Sequence, residues 1–218
     1  MAGKSHIIRV VLLAAGCAAV LPCGCASERT TEAVSQYGQG LAHSDGGEWD
    51  AAILCFTKAI EVDPKDARAY FDRGDAYYMK DEYNAAIKDF TKAITLSPGF
   101  VDAYAARGSV HITKREYDAA IRDYTKAIDL DPLFAAAYCH RGIAHNGKGE
   151  YGAASEDCTM AIKLASRYKT AHKTRAVAHF HRRDYDKAWA DVKECLRLGG
   201  KVDPEFLAEL RKASGREE

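Results

Sequence analysis

A period of 34 residues is the feature that most limits how this chain can fold. Ala67-Arg-Ala-Tyr-Phe-Asp-Arg-Gly-Asp-Ala-Tyr lies over Val101-Asp-Ala-Tyr-Ala-Ala-Arg-Gly-Ser-Val-His without a gap, and the match continues with Ala86 on Ala120, Phe90 on Tyr124, Ala93 on Ala127 and Pro98 on Pro132. A fixed period of this size marks a stacked array, in which no unit buries its own apolar face and each depends on its neighbours. From Ala33 the period runs five times, over 33–66, 67–100, 101–134, 135–168 and 169–202. Below, positions are counted from the first residue of each unit.

Within a unit an aromatic residue stands at position 4, glycine at 8, a small residue at 20, an aromatic at 24, alanine at 27 and proline at 32. This pattern resembles the tetratricopeptide repeat. The resemblance implies an all-α fold: a right-handed superhelical solenoid of five helix-turn-helix units whose concave groove binds a protein or peptide. The end units diverge. Repeat 1 has Gln36 for the aromatic and four glycines between Gly38 and Gly47, each of which lowers helix propensity by roughly 1 kcal/mol when interior. Repeat 5 has Ala176 for the glycine, Val192 for the aromatic and Gly200 for the proline. Beyond it, Asp203-Pro204-Glu205 reads as a helix start, and Phe206, Leu207 and Leu210 as an apolar stripe, so 203–218 is expected to be a capping helix and tail.

Residues 1–25 have another character. Lys4 and Arg9 are followed by the apolar run Val10 to Leu21, too short to span a bilayer but suited to a signal-peptide core. Cys17 and Cys25 each follow a small residue in a context that resembles a bacterial lipobox, with the leucine one place too far from either cysteine. Cys25 is the expected lipidated mature N-terminus, since it leaves the whole apolar run inside the signal, with Cys17 the alternative. Cleavage after Ala26 without lipid, and an uncleaved anchor, remain open. Residues 26–32 then read as an extended polar tether reaching about 25 Å. The expected location is the periplasmic face of the cell envelope.

The 31 basic residues balance the 31 acidic ones, and removal of 1–25 takes Lys4 and Arg9 and leaves 29 against 31. With no positive excess to neutralise phosphates, nucleic acid is not an expected partner.

Position 7 holds Arg73, Arg107, Arg141 and Arg175, and position 23 holds Asp89, Asp123, Asp157 and Asp191; repeat 1 lacks both, with Gln39 and Cys55. Their joint loss predicts pairing within each repeat, in a structural role. At 100° per residue, positions 2, 5, 9, 12 and 13 of the first helix form a face apart from 4, 8 and 11. In the tetratricopeptide family that face lines the groove. Repeats 2 and 3 are its richest part, with Arg68, Phe71, Asp75, Tyr78 and Met79, then Asp102, Ser109 and Ile112, a mixture of aromatics and arginine that binding hot spots favour. The Lys and Asn clamp by which some members of the family hold a peptide's C-terminal carboxylate is missing.

His43, His111, His145 and His179 share position 11, but on the packing face and without zinc-site spacing, so they read as core histidines and no metal is expected. Cys55, Cys139, Cys158 and Cys195 read as buried free thiols. No nucleophile with its base, phosphate-cradling loop or paired carboxylates stand out, and no cofactor is expected. The leading reading is a non-enzymatic adaptor, similar to tetratricopeptide lipoproteins that assist envelope assembly. The alternative is a regulatory or recruiting subunit of an envelope enzyme, or a catalyst using the histidines.

Overall fold

The computed structural model describes residues 24–216, and the signal-like stretch with Cys17 lies outside them. Five helix hairpins follow in order: α1 (Gly24–Asp45) with α2 (Trp49–Val62), α3 (Ala67–Met79) with α4 (Tyr83–Leu96), α5 (Val101–Thr113) with α6 (Tyr117–Leu130), α7 (Ala135–Lys148) with α8 (Tyr151–Leu164), and α9 (Lys169–His181) with α10 (Tyr185–Arg197). A last helix, α11 (Pro204–Ser214), closes the array. No strand occurs among the described residues.

The hairpin turn explains why each unit breaks where it does. Position 15 is left-handed in every repeat, with Gly149 at φ 79° and Arg115 at φ 60°. The backbone N–H of position 16 donates to the carbonyl of position 11, as from Glu116 to His111 at 2.8 Å, and that of position 15 to position 12, as from Arg115 to Ile112 at 2.9 Å. This paired closure satisfies the last carbonyls of the first helix and turns the chain back.

Core clusters join one unit to the next, and the last of them joins repeat 5 to Leu210 of α11. Phe71, Ala86, Phe90 and Ala93 of repeat 2 pack with Ala103, Ala106 and Val110 of repeat 3, and Ala120, Tyr124, Ala127 and Ile128 of repeat 3 with Ala137 and Ala144 of repeat 4. Alanines at position 20 are wholly buried in all five units, which lets the paired helices lie close. Position 8 meets position 24 at the crossing: a Cβ added to Gly108 would come within 2.9 Å of the Tyr124 ring, and one on Gly74 within 2.8 Å of Phe90. In repeat 5, Ala176 is tolerated opposite the smaller Val192, so the divergence there is a matched exchange of volume.

The arginines tie the units in two directions. Arg107 Nε and the far guanidinium nitrogen donate to the two carboxylate oxygens of Asp123 in its own repeat, at 2.9 and 2.7 Å. Its remaining nitrogen donates to Thr91 Oγ1 of the preceding repeat at 2.9 Å. Arg73 repeats the pattern with Asp89 and Thr57, Arg141 with Asp157 and Thr125, and Arg175 with Asp191 and Thr159. The aspartates are buried and the arginines half-buried. Sequence reasoning found the pairs and missed the threonine at position 25. It is present in repeats 1–4, the units that have a following arginine, and is Lys193 in the last.

At the C-terminal end Asp203 caps α11 by accepting from Glu205 N at 2.9 Å, and Leu210 is wholly buried against the last hairpin. Trp189 Nε1 donates to Ser214 Oγ at 3.0 Å. At the other end the expectation is corrected: 26–32 is not an extended tether but part of α1, which begins at Gly24 rather than at Ala33. From Cys25 to Tyr37 no glycine or proline interrupts the helix, and seven residues rise about 10 Å in it.

Two outcomes follow from this packing. In a double-mutant cycle, Arg107 with Asp123 should couple by about 1–3 kcal/mol and Arg107 with Asp89 should not couple measurably, read by denaturant unfolding. Gly108→Ala should lower the melting temperature, because the Tyr124 ring is 1% exposed with its hydroxyl 2.7 Å from Ser109 Oγ, and overpacking of about 1–3 kcal/mol outweighs the roughly 1 kcal/mol gain in helix propensity.

Candidate binding groove

The first helices of successive hairpins touch: α1 meets α3, α3 meets α5, α5 meets α7 and α7 meets α9, whereas the second helices touch the first helix of the next unit. The first helices therefore sit on the tighter, inner side of the array, where positions 2, 9, 12 and 13 offer side chains. Leu41, Asp75, Ser109, Ile143 and Val177 form a half-buried row at position 9.

The predicted site residues fall into two groups. Arg68 and Asp102 are exposed, and Asp75, Tyr78, Met79 and Ile112 half-buried. Tyr78 Oη lies 3.5 Å from Thr113 Oγ1 of the next repeat, and its ring 5.9 Å from that of Tyr83. Met79 borders a shallow cleft with Trp49, Asp50 and Lys80. Arg68 is held by Asp66 at 3.1 Å and lies 5.5 Å from the Tyr37 ring. Phe71 is a correction: at 7% exposure, with ring centroids 5.7 Å from Phe90 and 4.9 Å from Phe100, it is a core residue. Position 5 varies in depth along the array: Cys139 is likewise buried there, Ala105 half-buried and Lys173 exposed. Ser109 lies on the face, but its hydroxyl is committed to Tyr124 and to the Ala105 carbonyl.

The far end of the face is closed. Phe180 packs edge-on against Phe206 of α11 at 5.4 Å and near Tyr185 at 6.1 Å, so its truncation would disturb the cap.

The histidines at position 11 have a structural explanation that spacing alone did not reveal. The turn that joins the backbone of positions 11 and 16 also joins their side chains: His43 Nδ1 is 2.6 Å from Glu48, His111 2.7 Å from Glu116 and His145 2.6 Å from Glu150. On the other side His111 and His145 Nε2 stand 3.8 Å from Asp123 and Asp157 of the arginine ladder. Lys114 and His111 together hold the Glu116 carboxyl below its ordinary range, and Lys148 and His145 do the same for Glu150. Burial pushes the His179 imidazole down. Among the described residues no three His, Cys, Asp or Glu side chains converge as a metal set.

The four helix cysteines are buried and unpaired with one another. Burial raises the Cys139 thiol to about 12 and pushes Cys158 higher still, which makes both poor nucleophiles near neutral pH.

Comparison with known proteins agrees with this architecture. Residues 37–99 match the tetratricopeptide repeat, and residues 114–149 match the family's TPR repeat. No curated protein sequence matches the chain. Among solved structures the chain is similar to MamA, at 24% identity over 77% of this chain and 91% of that one with a TM-score of 0.70. It is similar to YrrB, described as a TPR protein with an unusual peptide-binding site, at 19% identity over 88% and 96% with a TM-score of 0.69. It is also similar to Pseudomonas aeruginosa pilF, at 18% identity over 86% of each chain with a TM-score of 0.74. With the 34-residue unit, its hairpin and its stacking present from one end of the array to the other, the chain belongs to the tetratricopeptide-repeat family.

Proposed function

We propose that the protein is a non-catalytic scaffold that holds a partner protein or peptide on the inner face of repeats 2 and 3 and is anchored by lipid at the periplasmic face of the cell envelope. The observation that carries the binding reading is the inner face itself. There Tyr78, Met79 and Ile112 stand half-buried at the C-terminal ends of α3 and α5, and the exposed Arg68 and Asp102 at the N-terminal ends of the same helices, so a ligand lying along the face meets apolar area and both charges. A tyrosine with its hydroxyl at the rim adds contact area at small entropic cost. Proteins of this repeat family are generally interaction scaffolds without catalysis. YrrB, which shares the fold, has a peptide-binding site, and a peptide is the ligand class assigned here.

Anchoring rests on the sequence before Gly24 together with the start of α1. No described helix is long and apolar enough to cross a membrane. If Cys25 is the mature N-terminus, its lipid is attached at the first turn of α1, and the helix holds the array about 15 Å nearer to the bilayer than an extended linker would.

Mass spectrometry of the protein from a bacterial envelope is expected to show a diacylated or triacylated N-terminal Cys25; an unmodified chain beginning at Ser27 would remove the anchor. For the groove, Tyr78→Ala should weaken affinity for a partner captured from membrane extract by about thirtyfold, the effect of losing roughly 2 kcal/mol at a central aromatic. A circular-dichroism melt accompanies the measurement, and full affinity with an unchanged melt would place the site elsewhere.

A further inference from the structure

The edge of the array that carries the turns between units is charged in two halves. The first helices lie side by side, α3 on α5, α5 on α7 and α7 on α9, so the turns leading into them follow one another along that edge. These turns are 61–68, 95–102, 129–136 and 163–170, and 197–204 ends the row. The first three carry six acids against Lys65 and Arg68, a net −4, and the last two carry five bases against Asp203, a net +4. The sign changes between neighbours: 129–136 holds Asp129 and Asp131 and no base, and 163–170 holds Lys163, Arg167 and Lys169 and no acid.

Three of these charges work against their own helices. Glu61 and Asp129 stand in the last turns of α2 and α6, beside the negative end of the helix dipole, and Lys169 begins α9, beside the positive end. Nor does pairing within the chain account for them. Asp129, Lys163, Arg167 and Lys169 are all exposed, and among the described residues none of the four has an ion-pair partner. In the acidic turn next to the change of sign, Leu133 is 75% exposed, and Asp131 shapes the turn that presents it by accepting from Leu133 N at 3.0 Å.

A surface whose acidic half adjoins an equal basic half is complementary to itself under a two-fold rotation. We infer that two copies of this chain pair antiparallel along this edge, with the two-fold axis between turns 129–136 and 163–170. Each of these turns then faces the other in the second copy, so the contact of Asp129 with Lys163, Arg167 and Lys169 is made twice, and both Leu133 side chains are covered beside the axis. An axis through 129–136 itself would set its aspartates against their own copies. The inner face presents positions 9, 12 and 13 farther along the first helices, away from this edge, so pairing leaves it uncovered for a partner.

The test uses the full chain in a density-matched non-ionic detergent, with sedimentation equilibrium as the readout. A monomer–dimer equilibrium is expected, with nothing larger, because a two-fold contact closes on itself. Arg167→Glu combined with Lys169→Glu takes turn 163–170 from +3 to −1 and should raise the dissociation constant at least about tenfold. Asp129→Lys, which makes turn 129–136 neutral, should weaken association as well. A mixture of the two variants should associate more tightly than either alone, because the mixed dimer keeps one native contact and faces no acid with acid. At a dilution where the chain is monomeric neither variant should lower the circular-dichroism melt, since Lys169→Glu and Asp129→Lys each place the favoured charge at a helix end. Benzoylphenylalanine at Leu133 should cross-link to 163–170 of an isotope-labelled second copy, and the same probe at Arg115, exposed in a hairpin turn on the opposite edge, should not. A chain that stays monomeric, a dissociation constant indifferent to both variants, a mixture no tighter than its components, or cross-links from Leu133 only within one chain would each overturn the pairing. A monomer that binds phosphatidylglycerol vesicles, and loses them on Arg167→Glu with Lys169→Glu, would assign the basic turns to anionic lipid and overturn it too.

Discussion

Every unit of this protein has an apolar face that only the next unit can cover. Ala59 and Ile60 of repeat 1 need Ala69 of repeat 2, and Phe90 needs Ala103 and Val110 of repeat 3. Alanines and glycines at the crossings bring backbones close but add little area each, about 25 cal/mol per Å² of apolar surface. Stability therefore accrues by adding interfaces, as expected for a quasi-one-dimensional array. The ends must stop that addition. At the C-terminus α11 buries Leu210 in place of a sixth unit. At the N-terminus the positions that would meet a preceding unit are polar or small, with Ser35, Gln39 and Ala42 exposed.

Within this frame the arginine is a register device more than a source of stability. Its bidentate carboxylate fixes the two helices of one unit, and the third donor finds the threonine of the unit before. A half-buried ion pair repays most of its own desolvation and contributes modest net energy, yet a one-residue slip would strand a buried aspartate. The histidine at position 11 extends the same network to the turn. Its ring lies between the ladder's aspartate and the glutamate that the turn brings back, which accounts for a row of histidines without a ligand to hold.

The period, the pairing of arginine with aspartate and the capping sequence Asp203-Pro204 were legible because each depends on residues at fixed spacing. The threonine bridge and the glutamate partner of the histidines were present in the sequence at positions 25 and 16. They were overlooked because their partners lie across a unit boundary or a turn, where linear spacing does not show proximity. Phe71 was misassigned for a different reason. A helical wheel separates faces but cannot tell how deep position 5 lies in a given unit, and in repeat 2 the ring turns inward onto Phe90 and onto Phe100 of the following turn. The start of α1 was misjudged because a polar stretch was equated with an extended one, although Ser27 to Glu32 contains nothing that breaks a helix.

The architecture also separates what is constant from what can vary. Position 17 is aromatic in all five units, as Trp49, Tyr83, Tyr117, Tyr151 and Tyr185. It lies beneath position 13 of the following unit: Tyr117 packs against Gly147, and Tyr151 stacks on His181 at 4.3 Å and 12°. Position 13 itself changes from Met79 to Thr113, Gly147 and His181. The aromatic adjusts to what stands above it: at Gly147 the Tyr117 ring has closed into the space a Cβ would take, so a larger residue there needs that half-buried ring to swing back, as Tyr151 does to stack on His181. The inner face can thus alter what it presents, unit by unit, while the core that fixes its shape is left alone, and selectivity for a ligand becomes separable from stability of the fold.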